Sequence, residues 1–181
     1  MHLTTRNVLL TLALLSALAV ATSAQVISSP IPQRGPSEPI RPYVVLPAQS
    51  LADIDRKLRP ENKAEELIGG EGMELRVAIQ HEKDHAAPSG ELHDASDDVY
   101  YVLEGSAVLT LGGKLDAAAR EVEPGEWRGK INGGKNVEIK KGDLVIVPRG
   151  TPHERTTVGK DFTMILIKIY AQPLPAPKPK P

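Results

Sequence analysis

From residue 73 the chain alternates, with Met73, Leu75, Val77 and Ile79 separated by Glu74, Arg76, Ala78 and Gln80. A period of two belongs to a half-buried strand and not to a helix face, which repeats every 3.6 residues. β-prone runs then recur at short intervals, each closed by turn residues. Residues 98–103 are followed by Glu104-Gly105, 107–111 by Gly112-Gly113, 137–140 by Lys141-Gly142, and 144–147 by Pro148 and Gly150. The last run, 162–169, is strongly apolar. Short strands at this spacing predict an antiparallel sandwich or barrel.

One short helix is expected ahead of the strands. Ser50 stands as its cap, Asp53 lies near the positive end of the dipole, Ile54 and Leu58 share a face, and Pro60 ends it. Residues 114–136 fit the strand pattern less well, because Ala117-Ala118-Ala119 favours helix while Pro124-Gly125 and Gly133-Gly134 break it. This stretch is read as an inserted excursion, with Trp127 and Arg128 either covering a barrel mouth or packing outside it.

The two ends differ from this body. Residues 1–24 run from a short segment with Arg6, through an apolar stretch, to Thr22-Ser23-Ala24, the order of a cleavable secretory signal. The apolar stretch falls short of the roughly 20 residues of a membrane span. Pro30, Pro32, Pro36, Pro39, Pro42 and Pro47 then make residues 25–49 an extended arm, and 172–181 form a proline-rich tail. The remaining 50–171 are expected to form a single domain, exported to a periplasm or secreted.

The sequence has no cysteine, which excludes disulfides, thiolate nucleophiles and Cys-ligated zinc. Net charge is −1 with both signs interspersed, and no basic footprint marks a nucleic-acid or membrane partner. No Gly-x-Ser-x-Gly elbow, phosphate loop or dinucleotide glycine fingerprint is present.

Past the signal segment the histidines are His81, His85, His93 and His153, all in the strand-rich region. His153 ends the run Gly142-Asp-Leu-Val-Ile-Val-Pro148-Arg-Gly150-Thr-Pro-His153. Its spacing of glycine, five residues, proline, one residue, glycine, two residues and histidine resembles the second motif of the cupin family. Upstream, Gly90-Glu91-Leu-His93-Asp-Ala-Ser-Asp97-Asp98-Val-Tyr-Tyr-Val-Leu-Glu-Gly105 resembles the first cupin motif, with His93 in the place of its second histidine. The resemblance extends over most of residues 73–170.

That resemblance implies an all-β fold, a small antiparallel double-sheet barrel of the cupin or jelly-roll kind. It also implies a divalent metal held inside by His93, His153, Glu91 and Asp98. Glu91 stands where the family has a histidine, and Asp98 where it usually has glutamate. Glu91 and His93 are two apart, so they share a strand face. Asp97 is an adjacent alternative to Asp98, although a regular strand would turn Asp98, Tyr100 and Val102 inward. His81 and His85 are weaker ligand candidates, and in loops among Glu, Lys and Asp such histidines are commonly solvated. Mixed nitrogen and oxygen donors suit manganese, iron or zinc.

The function implied is metal-dependent action on a small molecule, of oxygenase, isomerase or lyase type. Glu91, Asp98 and Tyr100 are the candidate catalytic groups. The alternatives are a non-catalytic module that captures a small molecule or metal in the same cavity, and an interaction protein whose barrel gives stability only. Resemblance to cupins also allows a homodimer through sheet pairing.

Overall fold

The computed structural model describes Pro39 and residues 41–173; the signal segment, most of the arm and residues 174–181 lie outside the described residues. Helix α1 spans Ala48–Leu58. It begins two residues before the expected cap, and Ser50 makes no capping hydrogen bond. Pro47 stands at the boundary with φ −58°, and its carbonyl accepts from Leu51 N–H at 3.2 Å. Pro47 has no N–H of its own to leave unpaired, and its carbonyl opens the hydrogen-bond ladder of the helix. Asp55 and Leu58 are the buried residues of this helix.

Twelve strands follow among the described residues: β1 (Lys63–Ile68), β2 (Leu75–Lys83), β3 (Gly90–His93), β4 (Ser96–Leu111), β5 (Lys114–Leu115), β6 (Arg120–Glu123), β7 (Glu126–Gly129), β8 (Ile131–Asn132), β9 (Lys135–Lys140), β10 (Leu144–Val147), β11 (His153–Thr156) and β12 (Asp161–Tyr170). Every pairing is antiparallel. One sheet runs β1-β2-β12-β4 with β10 on the far side of β4. The other joins β9, the second half of β4, β11, β3, β7 and β6. Among the described residues the result is an all-β double-sheet barrel with one short helix ahead of its strands.

Strand β4 belongs to both sheets. The expected turn at Glu104-Gly105 is instead a corner within a continuous strand. Residues before Gly105 pair with β10 and β12, and residues after it with β9 and β11. Gly105 has φ +75°, and a Cβ there would stand 1.8 Å from the Asp161 carbonyl oxygen. Only glycine allows the chain to bend this closely against β12.

The barrel core is formed by Tyr100, Val102, Ala107, Leu109, Ile139, Val147, Phe162 and Met164. Burying Leu109, Ile139, Phe162 and Met164 stabilises the fold by about 1.5–3 kcal/mol each. The apolar set of β2 faces the other way. Register aligns Arg76 with Lys168 and Asp98, Ala78 with Leu166 and Tyr100, and Gln80 with Met164 and Val102. The even-numbered residues of β2 therefore line the interior. Leu75, Val77 and Ile79 lie on the outer face, and Ile79 is buried there.

Two further elements differ from expectation. Residues 63–68, charged and without an alternation signal, form edge strand β1 against β2. The 114–136 stretch has no helix over its alanines; its strands β6 and β7 extend the second sheet from β3. No helix among the described residues is long and apolar enough to cross a membrane.

Candidate metal centre

The two motif regions meet through the backbone. Strand β11 pairs with β3, setting His153 opposite Glu91, and the turn before it donates from Gly150 N–H to the His93 carbonyl at 2.8 Å. Arg149 in the same turn clamps Asp97, donating from its backbone N–H at 2.8 Å and from its guanidinium at 3.0 and 2.9 Å. Asp97 is thus committed to holding the turn and is not the alternative to Asp98. The neighbouring position turns inward, and Asp98 is buried.

His93 and His153 are each 3% exposed, with ring centroids 5.0 Å apart. Both are oriented through Nδ1: His153 Nδ1 is 3.0 Å from the Thr151 carbonyl oxygen, and His93 Nδ1 contacts the Glu126 carboxylate. Both Nε2 atoms are buried without a hydrogen-bond partner. Glu91 Oε2 lies 3.6 Å from His93 Nε2 and 3.9 Å from His153 Nε2. Asp98 Oδ2 lies 3.4 and 3.9 Å from the same two atoms.

Two orphaned imidazole nitrogens facing shared carboxylate oxygens are a donor set that fits a divalent cation, since an unpartnered buried polar atom is costly. Glu91, His93 and His153 offer ligand atoms within 4.8 Å of one another. The site is thus a His/Glu cluster able to hold a metal, with Asp98 beside it.

Charge is arranged asymmetrically between the histidines. Burial opposes the imidazolium of His93, but the Asp98 and Glu126 carboxylates outweigh it and raise its pKa to about 9. Burial lowers the pKa of His153, and the neighbouring His93 charge lowers it further. Asp98 and Glu126 are held below their ordinary values despite burial, because His93 and Lys168 favour their ionised forms. Tyr100 donates to Asp98 Oδ2 at 3.2 Å; burial, then the Asp98 charge, raise its pKa well above normal. Tyr100 is therefore a neutral phenol that supports Asp98 and fills the core.

The remaining sequence candidates stand outside the ligand cluster. His81 lies on the outer face of β2 beneath α1, with Nδ1 2.8 Å from Thr163 Oγ1, and Thr163 in turn donates to Asp55 at 2.7 Å. Its odd-numbered place in the β2 register separates it from the centre. His85 lines a cavity of about 280 Å³ that also includes Glu91, His153 and Arg155. Trp127 donates to Asp94 at 2.8 Å. Arg128 makes an ion pair with Glu91.

Two interior residues are absent from the sequence candidates. Glu126 comes from the supposed excursion, where β7 pairs with β3 and sets it directly opposite His93. Lys168 comes from an apolar strand and reaches within 3.2 Å of Asp98 Oδ1. The one available sign was a lone lysine in the run Met-Ile-Leu-Ile-Lys168-Ile. A second cavity of about 300 Å³ lies against Arg76, His93, Glu126, Arg128 and Lys168. A further cavity, about 650 Å³, is lined by neither His93 nor His153.

No protein-family model and no curated protein matches the chain. The fold is that of the cupin or jelly-roll barrel. Among solved structures the chain is similar to BH2720 of Bacillus halodurans, at 18% identity and TM-score 0.50, over 76% of this chain and 88% of that one. It is also similar to a cupin superfamily protein of Desulfitobacterium hafniense DCB-2, at 17% identity and TM-score 0.41, over 61% and 80% of the two chains. For KdgF from a Halomonas species the values are 15% identity and TM-score 0.43, over 60% and 78%. At these identities the likeness is one of fold.

Proposed function

We propose that this is an exported protein that binds one divalent ion within its barrel and acts there on a small molecule. The observation that carries this reading is the convergence of the unpartnered Nε2 atoms of His93 and His153 on the Glu91 carboxylate. His93, His153 and Glu91 would hold the ion, with Asp98 as a fourth ligand through Oδ2. Two nitrogen and two oxygen donors favour manganese, ferrous iron or zinc. The ion would supply Lewis-acid chemistry.

The chain's own residues do the rest. Glu126 and the Thr151 carbonyl orient the imidazoles, Tyr100 steadies Asp98, and cavities lined by His153 and by His93 offer room for a small ligand. Export rests on the order of basic, apolar and small residues at the N-terminus.

Mass spectrometry of metal content tests the centre on protein purified without a histidine tag. Wild type is expected to carry near-stoichiometric metal, and a His93→Ala, His153→Ala double variant to lose it. Wild-type protein still empty after incubation with manganese, iron or zinc overturns the reading.

A further inference from the structure

Lys168 is 8% exposed, and its ammonium lies 3.2 Å from Asp98 Oδ1 and 3.9 Å from Glu126 Oε1. Neither contact is a hydrogen bond, and Nζ has no hydrogen-bond partner in the protein. The ammonium is thus balanced in charge by Asp98 but leaves its donors without an aligned acceptor, a cost that a ligand oxygen would relieve. Lys168 also lines the cavity of about 300 Å³ in front of His93, together with Arg76 and Arg128.

The charges around this cavity are linked to the histidine pair. Glu91 presents Oε1 to Arg128 and Oε2 to the two Nε2 atoms. Asp98 presents Oδ1 to Lys168 and Oδ2 to the same atoms. Each carboxylate is therefore shared between a cation and the centre. An ion at the centre would draw charge from both, leaving Lys168 and Arg128 less neutralised and facing the cavity.

We propose that this cavity receives the carboxylate of a small organic acid, bound by Lys168 and Arg128. The inference deepens the reading of a metal-dependent small-molecule site and rests on it for the acid's place beside a metal, while the carboxylate contacts themselves need none. A volume of about 300 Å³ lies at the small end of ligand pockets. Glu91, Glu123 and Glu126 also line the cavity and would repel a second negative charge, so the acid is a monocarboxylate.

The test is a nuclear magnetic resonance titration of the full chain, metal-free and zinc-loaded, with acetate, butyrate, lactate and pyruvate, each against its uncharged amide. At least one acid is expected to bind about tenfold or more tightly than its amide, the range of a charge-assisted hydrogen bond. Lys168→Gln should abolish that preference, and Lys168→Arg should retain part of it. Should Lys168→Gln fail to fold, Arg128→Gln, whose side chain is one-third exposed in wild type, carries the same comparison.

If no acid exceeds its amide in either form, or if the preference survives in folded Lys168→Gln or, where that variant does not fold, in Arg128→Gln, the proposal is overturned. Zinc content of the same samples separates the two readings. Protein that takes zinc without preferring acids keeps the metal centre and loses the anion site; protein that prefers acids without taking zinc does the reverse.

Discussion

The imidazole of His93 is anchored through Nδ1 to Glu126, the residue directly opposite it across the β3–β7 ladder. That contact sets the ring so that Nε2 faces His153. Removing the charge of such an orienting partner weakens metal binding by about 10- to 100-fold. Glu126→Gln should therefore lower zinc affinity by that factor in chelator competition while the protein stays folded. Unchanged affinity would show that the ring is held by packing alone.

Proton release provides a second check. His93 titrates at about 9 in the metal-free protein, and a ligand imidazole must be neutral. At pH 7 binding should release about one proton from His93, and affinity should rise about tenfold per pH unit up to pH 9. Calorimetry in buffers of different ionisation enthalpy measures the release. The sign for stability is opposite. Because the folded pKa is raised, the contribution of His93 is full below its unfolded value near 6.5. Metal-free protein should lose that contribution as pH climbs through 9.

Asp97 and Arg149 tie the two motif regions together from outside the centre. Arg149 donates both side-chain and backbone hydrogen bonds to the Asp97 carboxylate, holding its pKa down at about 2. Asp97→Asn should destabilise the fold by about 1 kcal/mol at pH 7, a value kept small by solvent screening. A depressed carboxylate contributes above its unfolded pKa, so the difference should persist down to about pH 4 and vanish as pH falls towards 2. Urea unfolding at pH 7, 4 and 2.5 reads this directly.

His81 should behave oppositely to His93. His81→Ala removes the Nδ1 partner of Thr163 beneath α1 and leaves that hydroxyl with its bond to Asp55 alone, at a cost of about 1–3 kcal/mol for an unsatisfied buried group. Thermal melting should fall while metal content is unchanged. Loss of metal on this substitution would contradict its placement on the outer face.

At the sheet corner, Gly105→Ala forces a Cβ into the Asp161 carbonyl at a positive φ. A loss of at least about 2 kcal/mol follows from the backbone strain, seen as a lower urea midpoint. Gly142→Ala, also at positive φ but with nothing within 4 Å of the new Cβ, should be milder.

Much of the barrel and half of its centre were legible in one dimension. The 142–153 spacing correctly sets His153 at the start of β11, and the two-residue step from Glu91 correctly aligns it with His93 on β3. Inward orientation of Asp98 and Tyr100 followed from regular alternation. Gly105 was misread as a turn because a corner and a hairpin both require a positive φ, and only the partner strands distinguish them.

Local pattern alone determined the strand-rich class, the short helix ahead of it and the inward set on β4, because these depend on spacing within one segment. Tertiary structure decided which face of β2 looks inward, that Asp97 belongs to Arg149, and that Glu126 and Lys168 join the histidine pair. Those facts depend on register between strands far apart in sequence. Directly paired residues share a face, so a partner's identity, and not the residue's own neighbours, sets what each side chain meets.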